Sequence, residues 1–188
     1  MNVYDFDDTI FDGDSSKLFL VHCLREKWLL AGLLPLQAAS LALNKARLMS
    51  IEKTKSTCFS CLRAFGDRKA LLERFREREG HRLTAWYLGQ AKPDDVIISA
   101  SPAFLISALL PGHDPTRLIC TRMDINTGRV EGRNCKGTEK IARFRALFPE
   151  DEIDSFYSDS LTDRPMARLA KKAWLVDHRA STVTPFPL

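Results

Sequence analysis

The run Asp5-Phe6-Asp7-Asp8-Thr9, following almost directly on the first residues of the chain, constrains this protein more than any other stretch. Residues 2–6 form a short β-type segment that ends in acid. Carboxylates held a few ångströms apart repel one another and push one pKa upward unless a cation neutralises them. Asp5, Asp7 and Asp8 therefore call for a divalent ion, and ligation by oxygen alone suits magnesium better than zinc. In a parallel sheet, ligands sit beyond the carboxyl ends of the strands, where this run would lie. The plain alternative is an acidic turn or a helix cap.

Beyond the acidic run the chain has two regimes. Residues 12–16 give a turn and a helix N-cap signal, and residues 15–90 then read as helix with almost no strand signal. One face carries Leu18, Phe19, His22 and Cys23; another carries Ile51, Lys55, Cys58, Phe59 and Leu62. After that the chain alternates. Strands are expected at 96–99, 117–122, 155–158 and 173–176, with helices at 102–110, 138–147 and 162–170. Apolar strands alternating with helices are the pattern of a parallel sheet covered on both faces. The expected architecture is an α/β, Rossmann-like core from residues 1–14 and 91–188, with a helical cap, residues 15–90, inserted after the first strand. The tail from His178 reads as loosely ordered.

Other strand ends carry further chemistry. Ser99 closes Val96-Ile97-Ile98, although Ser99-Ala-Ser-Pro could also cap the next helix. Asp159 and Asp163 follow Ser155-Phe156-Tyr157, and their four-residue spacing shares one face if the loop enters a helix. Lys136 precedes Gly137 and an amphipathic helix, where a solvated lysine is the bland reading.

Asp5-x-Asp7-x-Thr9, Ser99, Lys136-Gly137 and Asp159-x-x-x-Asp163 together resemble the four ordered motifs of the haloacid dehalogenase superfamily. The helical insertion after the first motif resembles its branch (subfamily IB) containing phosphoserine phosphatases. Tyr157-Ser158-Asp159-Ser160 and the apolar cap segment are similar to phosphatidylglycerophosphatase-type members. The resemblance implies that Asp5 attacks phosphorus and forms an aspartyl-phosphate, and that Asp7 protonates the leaving oxygen and later takes a proton from water. It implies Mg2+ held by the Asp5 carboxylate, the Asp7 main-chain carbonyl and Asp159. Thr9 and Ser99 would bond phosphate oxygens, Lys136 would neutralise the intermediate, and Asp163 would hold Lys136 or a metal-bound water. Asp14 stands where phosphoserine phosphatases carry a Glu near the substrate amine, and it also suits an N-cap for the helix at Ser15. The cap arginine that such enzymes aim at the substrate carboxylate has no clear counterpart.

Composition bounds the partners. A net charge of +4, with no basic run longer than two residues, carries no nucleic-acid footprint. Five cysteines without a framework suit reduced thiols, Cys58 and Cys61 reading as two helix positions, and the N-terminus carries no signal peptide; a cytoplasmic site is expected. Residues 28–44 are uncharged but short for a span of about 20 residues and interrupted by Pro35, Gln37, Ser40 and Asn44. They are expected as a buried or interfacial helix pair. The flanking Lys27, Lys45 and Arg47 would suit anionic headgroups, so peripheral membrane association and a lipid phosphate stand beside a small phosphorylated metabolite. A phosphotransferase of the same family stays open. A phosphate-accepting signalling receiver would carry its Asp on a later strand, and a non-catalytic binding relative would be expected to have lost Asp5 or Asp7.

Overall fold

The computed structural model of the chain describes residues 1–177 and 182–187. Its centre is β1 (Asn2–Tyr4), only three residues long and paired in parallel with a strand on each side. So short a strand persists because both faces are buried: Val3 and Tyr4, pointing opposite ways, are fully covered. Its neighbours are β2 (Val96–Pro102) and β4 (Ile153–Ser158), flanked in turn by β3 (Leu118–Thr121) and β5 (Ala170–Asp177). The order β3-β2-β1-β4-β5-β6 is parallel except for the last strand, β6 (Thr182–Pro185), which runs antiparallel to β5. This is the expected α/β class.

Two features depart from the sequence reading. Residues 182–185 form an edge strand, and the neighbouring Phe186 is buried, so the expected loose tail is wrong there. The rest of that expectation, from His178 to residue 181 and at residue 188, lies outside the described residues. Residues 28–44, expected as a buried or interfacial helix pair, form a 3-10 turn (Trp28–Leu33) and α2 (Leu34–Lys45), and the buried alternative fails for most of their apolar side chains: Leu30 and Leu33 pack on the core, but Trp28, Leu29, Leu36 and Leu41 are exposed.

Between β1 and β2 lie α1 (Ser15–Glu26), α2, α3 (Ile51–Phe59), α4 (Arg68–Glu79) and α5 (Ala85–Leu88). Asp14, Ser50, Asp67 and Thr84 each cap the next helix by accepting a first-turn amide hydrogen bond. The insert shares a core with one sheet face. Phe19 of α1, Phe59 of α3 and Phe75 of α4 are all buried: Phe19 and Phe59 meet Phe104, on the core side, and Phe75 meets Phe19, with ring centroids 5.2–6.4 Å apart. Burying each such ring contributes about 1.5–3 kcal/mol. The other sheet face is covered by α7 (Thr138–Leu147) and α8 (Arg164–Ala167), through Phe144 and Met166. The remaining helix, α6 (Ala103–Leu109), follows β2.

α3 is fastened at its side as well as its end. The Val130 amide donates to Ser56 Oγ (2.9 Å), and the Asn134 amide donates to Glu52 Oε1 (3.0 Å). Gly128, at φ 72°, turns against the end of α3 so closely that a Cβ would lie 2.0 Å from the Phe59 carbonyl oxygen. Only glycine fits both the left-handed backbone and that approach.

Candidate active site

Strand register builds the site. Tyr4 pairs with Ile97 on one side and with Tyr157 on the other. One and two residues further on, Asp5, Ser99 and Asp159 therefore emerge at the same rim, beyond the centre of the sheet. This is the switch region where open α/β sheets place ligands. A cavity of about 270 Å3 opens there, lined by Asp5, Asp7, Asp8, Asp14, Asp159 and Asp163, and by Lys55, Lys136 and Lys140. Six carboxylates against three lysines leave the cavity with an acidic surplus. A bound cation would offset that surplus for an anionic ligand.

Asp5 is the focus. Its Oδ1 lies 3.0 Å from Lys140 Nζ, and that ammonium lies 2.6 Å from Asp163 Oδ2. Asp163 also accepts from Ser158 Oγ at 2.9 Å. Burial pushes the Asp5 carboxyl up to about 7, against the opposing pull of Lys140. The two carboxylates raise the Lys140 ammonium, overcoming its own desolvation, so it stays charged. Sequence reading assigned the neutralising cation to Lys136. Lys136 lines the cavity, but the ion pairs belong to Lys140, one helical turn on. Gly137, at φ 60° and ψ −126°, redirects the chain into α7, and Lys140 shares the buried face of that helix with Phe144 four residues later. That signal was present in the sequence: a lysine on the apolar stripe of an amphipathic helix.

Asp7 is held by donors from both parts of the chain. Its Oδ1 accepts from the Ser15 amide at the start of α1 (2.7 Å), while Oδ2 accepts from Ser101 Oγ (2.6 Å) and Ser99 Oγ (3.3 Å). Ser101 was not singled out from sequence, yet it ties β2 to the insert by contacts with Ser15 and Ser16 hydroxyls. Burial raises the Asp7 pKa, partly offset by these hydrogen bonds. Asp8 takes a left-handed backbone conformation, φ 54°, and lines the cavity. Asp14 lines the cavity while also capping α1 and pairing with Lys17 at 3.1 Å.

Thr9 departs from expectation. It is fully buried, and its Oγ1 accepts from the Asp159 amide at 2.9 Å, so it anchors the loop after β4 instead of facing the cavity. Asp159 is thereby set at the rim, its carboxyl pushed up to about 6 by burial and by Asp8. A third residue of the site, read from sequence only as part of a helix face, is Lys55 of α3. Its Nζ donates to the Ala100 carbonyl and to Asn134 Oδ1, both at 2.7 Å. Trp86 and Tyr87 pack on Tyr4 rather than lining this cavity.

A magnesium ion fits the donor chemistry. Among the described residues no three His, Cys, Asp or Glu side chains converge as a ready-made metal cluster. Two carboxylates lining the cavity, Asp5 and Asp159, are oxygen donors of the kind Mg2+ prefers, an ion that needs few protein ligands.

The model of the haloacid dehalogenase-like hydrolases matches residues 3–168, which span every element of this site. The chain belongs to that family. A curated relative, Protein CicA of Caulobacter vibrioides (strain NA1000 / CB15N), is 26% identical over 181 residues, covering 89% of this chain and 81% of CicA. Among solved structures, a protein of unknown function from Bordetella pertussis Tohama I superposes with a TM-score of 0.71 at 17% identity, over 92% of this chain and 87% of that one. A phosphoserine phosphohydrolase-like protein from Francisella tularensis subsp. tularensis SCHU S4 gives 0.55 at 15% identity, over 92% and 86%. The expectation of a hydrolase of the haloacid dehalogenase family agrees with the family match, and that of a phosphoserine phosphatase-like fold agrees with the structural one.

Proposed function

We propose that this haloacid dehalogenase-like hydrolase is a Mg2+-dependent phosphatase that cleaves a phosphomonoester through an aspartyl-phosphate on Asp5. The observation that carries this reading is the buried Asp5–Lys140–Asp163 chain, with Asp7 beside it at the end of β1. In the first step an Asp5 carboxylate oxygen bonds to phosphorus, the P–O ester bond breaks, and the leaving oxygen takes a proton from Asp7. In the second step water attacks phosphorus, Asp7 takes its proton, and the Asp5 carboxylate is released with inorganic phosphate. Lys140 holds Asp5 in place and offsets charge at the reacting centre; Asp163 and Ser158 hold Lys140. Asp5, Asp159 and the Asp7 carbonyl are the proposed holders of Mg2+, which when bound screens phosphate charge and orients the phosphoryl group. Lys136 is proposed to meet phosphate oxygens, and so is Ser99, although it is wholly buried behind the cavity wall and donates to Asp7; Asp14, which lines the cavity, is proposed to meet the leaving group.

In this reading residues 1–14 and 91–188 form the catalytic core, and residues 15–90 are the cap that selects the substrate, a small metabolite or a lipid headgroup. Five free, buried thiols suit a reducing, cytoplasmic setting. The test is inorganic phosphate release from a panel of phosphomonoesters including phosphoserine, phosphocholine and phosphatidylglycerophosphate. Release is expected with Mg2+ and lost on chelation. Phosphate passing only to an added alcohol would make the protein a phosphotransferase, and no turnover on any ester would count against the reading.

Lys55 reaches the cavity from α3 with neutral partners only at its Nζ, and desolvation lowers its pKa against the pull of Asp7 and Asp14. A charge-assisted hydrogen bond is worth about 1.5–3 kcal/mol. Lys55→Ala should therefore raise KM for the preferred ester about tenfold or more, with a smaller effect on kcat. An unchanged KM would remove Lys55 from substrate binding.

The raised carboxyls predict a pH-dependent response to metal. Asp5 and Asp159 titrate near 7 and 6 in the fold, against about 4 unfolded. Between those values the folded state holds protons that the unfolded state has lost. Their stabilising contribution is full below about pH 4 and lost as pH rises through 6 and 7. Magnesium binds the deprotonated form, so its stabilisation grows over the same window. Chelated protein should lose several degrees of Tm between about pH 5 and pH 8, and Mg2+ should restore more at pH 8. An equal Mg2+ shift at both pH values would refute the linkage.

A further inference from the structure

The helix α2 is turned inside out. Its polar strip, Gln37, Ser40 and Asn44, faces the protein: Gln37 Nε2 donates to the Cys58 carbonyl at 3.1 Å, Ser40 is buried, and Asn44 Nδ2 donates to the Met49 carbonyl at 2.9 Å. Every other position from Leu34 to Leu43 is Leu, Ala or Pro. Among the described residues, eight of the twelve exposed large hydrophobic side chains fall between Trp28 and Ile51. Trp28 and Leu48 are the most open, at 76% and 77%. Isolated exposed leucines are ordinary, but a contiguous apolar face of this kind marks an interaction surface.

Charge selects the partner. From Lys27 to Ile51 there is no carboxylate, whereas Lys27, Lys45 and Arg47 are exposed around the apolar face. A second copy placed here by two-fold symmetry would bring these cations together with no acid on the stretch to pair them. An anionic lipid surface meets both halves of the pattern. It accepts apolar side chains below the headgroups, a tryptophan at the boundary and cations at the phosphates. Spanning is not at issue, since no helix among the described residues is long and apolar enough to cross a membrane.

We infer that the outer face of residues 27–51 docks this protein on an anionic bilayer. The surface lies one helix from the cavity. α2 packs on α3 through the Gln37–Cys58 and Thr54–Ser40 hydrogen bonds, and α3 carries Lys55 into the site. Docking would thus hold the cap against the lipid and place the phosphatase proposed above within reach of headgroup phosphates. Only this last consequence rests on the proposed catalytic function.

The test is co-sedimentation of the full chain with vesicles of phosphatidylglycerol and phosphatidylcholine in equal parts, and with phosphatidylcholine alone. Three cations near an anionic surface should favour the first on the order of a hundredfold at low salt, and high salt should remove most of that preference. Trp28→Ser with Leu48→Ser should lower vesicle binding at least about tenfold, and Lys45→Glu with Arg47→Glu should abolish the preference for anionic lipid. Both double variants should turn over a water-soluble aryl phosphate as the parent does. Asp5→Asn should bind vesicles like the parent, which separates failed chemistry from failed docking. Absence of binding to anionic vesicles overturns the inference. So does a dimer, seen by sedimentation equilibrium, that Trp28→Ser with Leu48→Ser dissolves without any vesicle binding in the parent.

Discussion

Asp5→Asn is expected to abolish phosphate release, by about four orders of magnitude or more, while the thermal midpoint stays within a few degrees of the parent. The substitution is nearly isosteric, so packing around the wholly buried Phe6 and Tyr4 is undisturbed. An amide cannot serve as the nucleophile, and the two-step route through a covalent intermediate is lost with it. Stability should change little because two effects oppose. Burial disfavours the Asp5 carboxylate, raising it to about 7, so removing its charge relieves a cost. Lys140 loses one of two partners but keeps Asp163 at 2.6 Å. The measurements are steady-state turnover with Mg2+ and a melt followed by circular dichroism. Turnover persisting at more than about a hundredth of the parent rate would mean that another group carries the phosphoryl transfer.

Lys140→Met should be the more damaging change overall, because it strikes both fold and chemistry. The methionine keeps most of the buried stem and removes only the ammonium. Asp5 and Asp163 are then left facing each other without their cation, and breaking a buried pair in this way costs about 3–5 kcal/mol. Coulombic repulsion from Asp163 already raises Asp5, so loss of Lys140 drives its carboxyl further toward the protonated, unreactive form. Turnover at neutral pH should fall at least about a thousandfold, and the remaining activity should shift to higher pH. The comparison that decides the assignment is Lys136→Ala, which removes a cation lining the cavity and no ion pair given by the structure. It should cost about tenfold or less and leave the melt unchanged. If Lys136→Ala were the more severe of the two, the role given to Lys140 would be wrong.

Much of this site was legible before the fold was known, for a local reason. A strand that ends in acid, an apolar strand ending in serine and a third strand ending in aspartate are each encoded within a few consecutive residues. Parallel pairing then brings such ends together without further instruction, as the register of Tyr4 with Ile97 and Tyr157 does here. Lys140 was missed because its meaning depends on helix phase. Counting from Gly137 points to the adjacent Lys136, but the face of α7 buried with Phe144 carries the later lysine. Thr9 was misjudged because a hydroxyl two residues from Asp7 can face the ligand or fasten a loop, and its hydrogen bond to the Asp159 amide spans 150 positions of sequence.

By itself, then, the sequence determined the α/β class, the place of the helical insert and the acidic rim, all of which arise from periodicity and local charge. Tertiary structure alone decided that Ser101 and Ser15 hold Asp7 and that Lys55 enters from the insert, and it selected Lys140 over Lys136 as the cation that meets Asp5. It also decided that the uncharged stretch 28–44 turns its leucines outward. Hydropathy alone left that stretch as a buried or interfacial helix pair. Two polar side chains of α2, Gln37 and Asn44, found partners off the helix in the carbonyls of Cys58 and Met49, and Ser40 between them is buried against α3. An unmade hydrogen bond in a buried place costs more than an exposed leucine, and that balance turned the helix over.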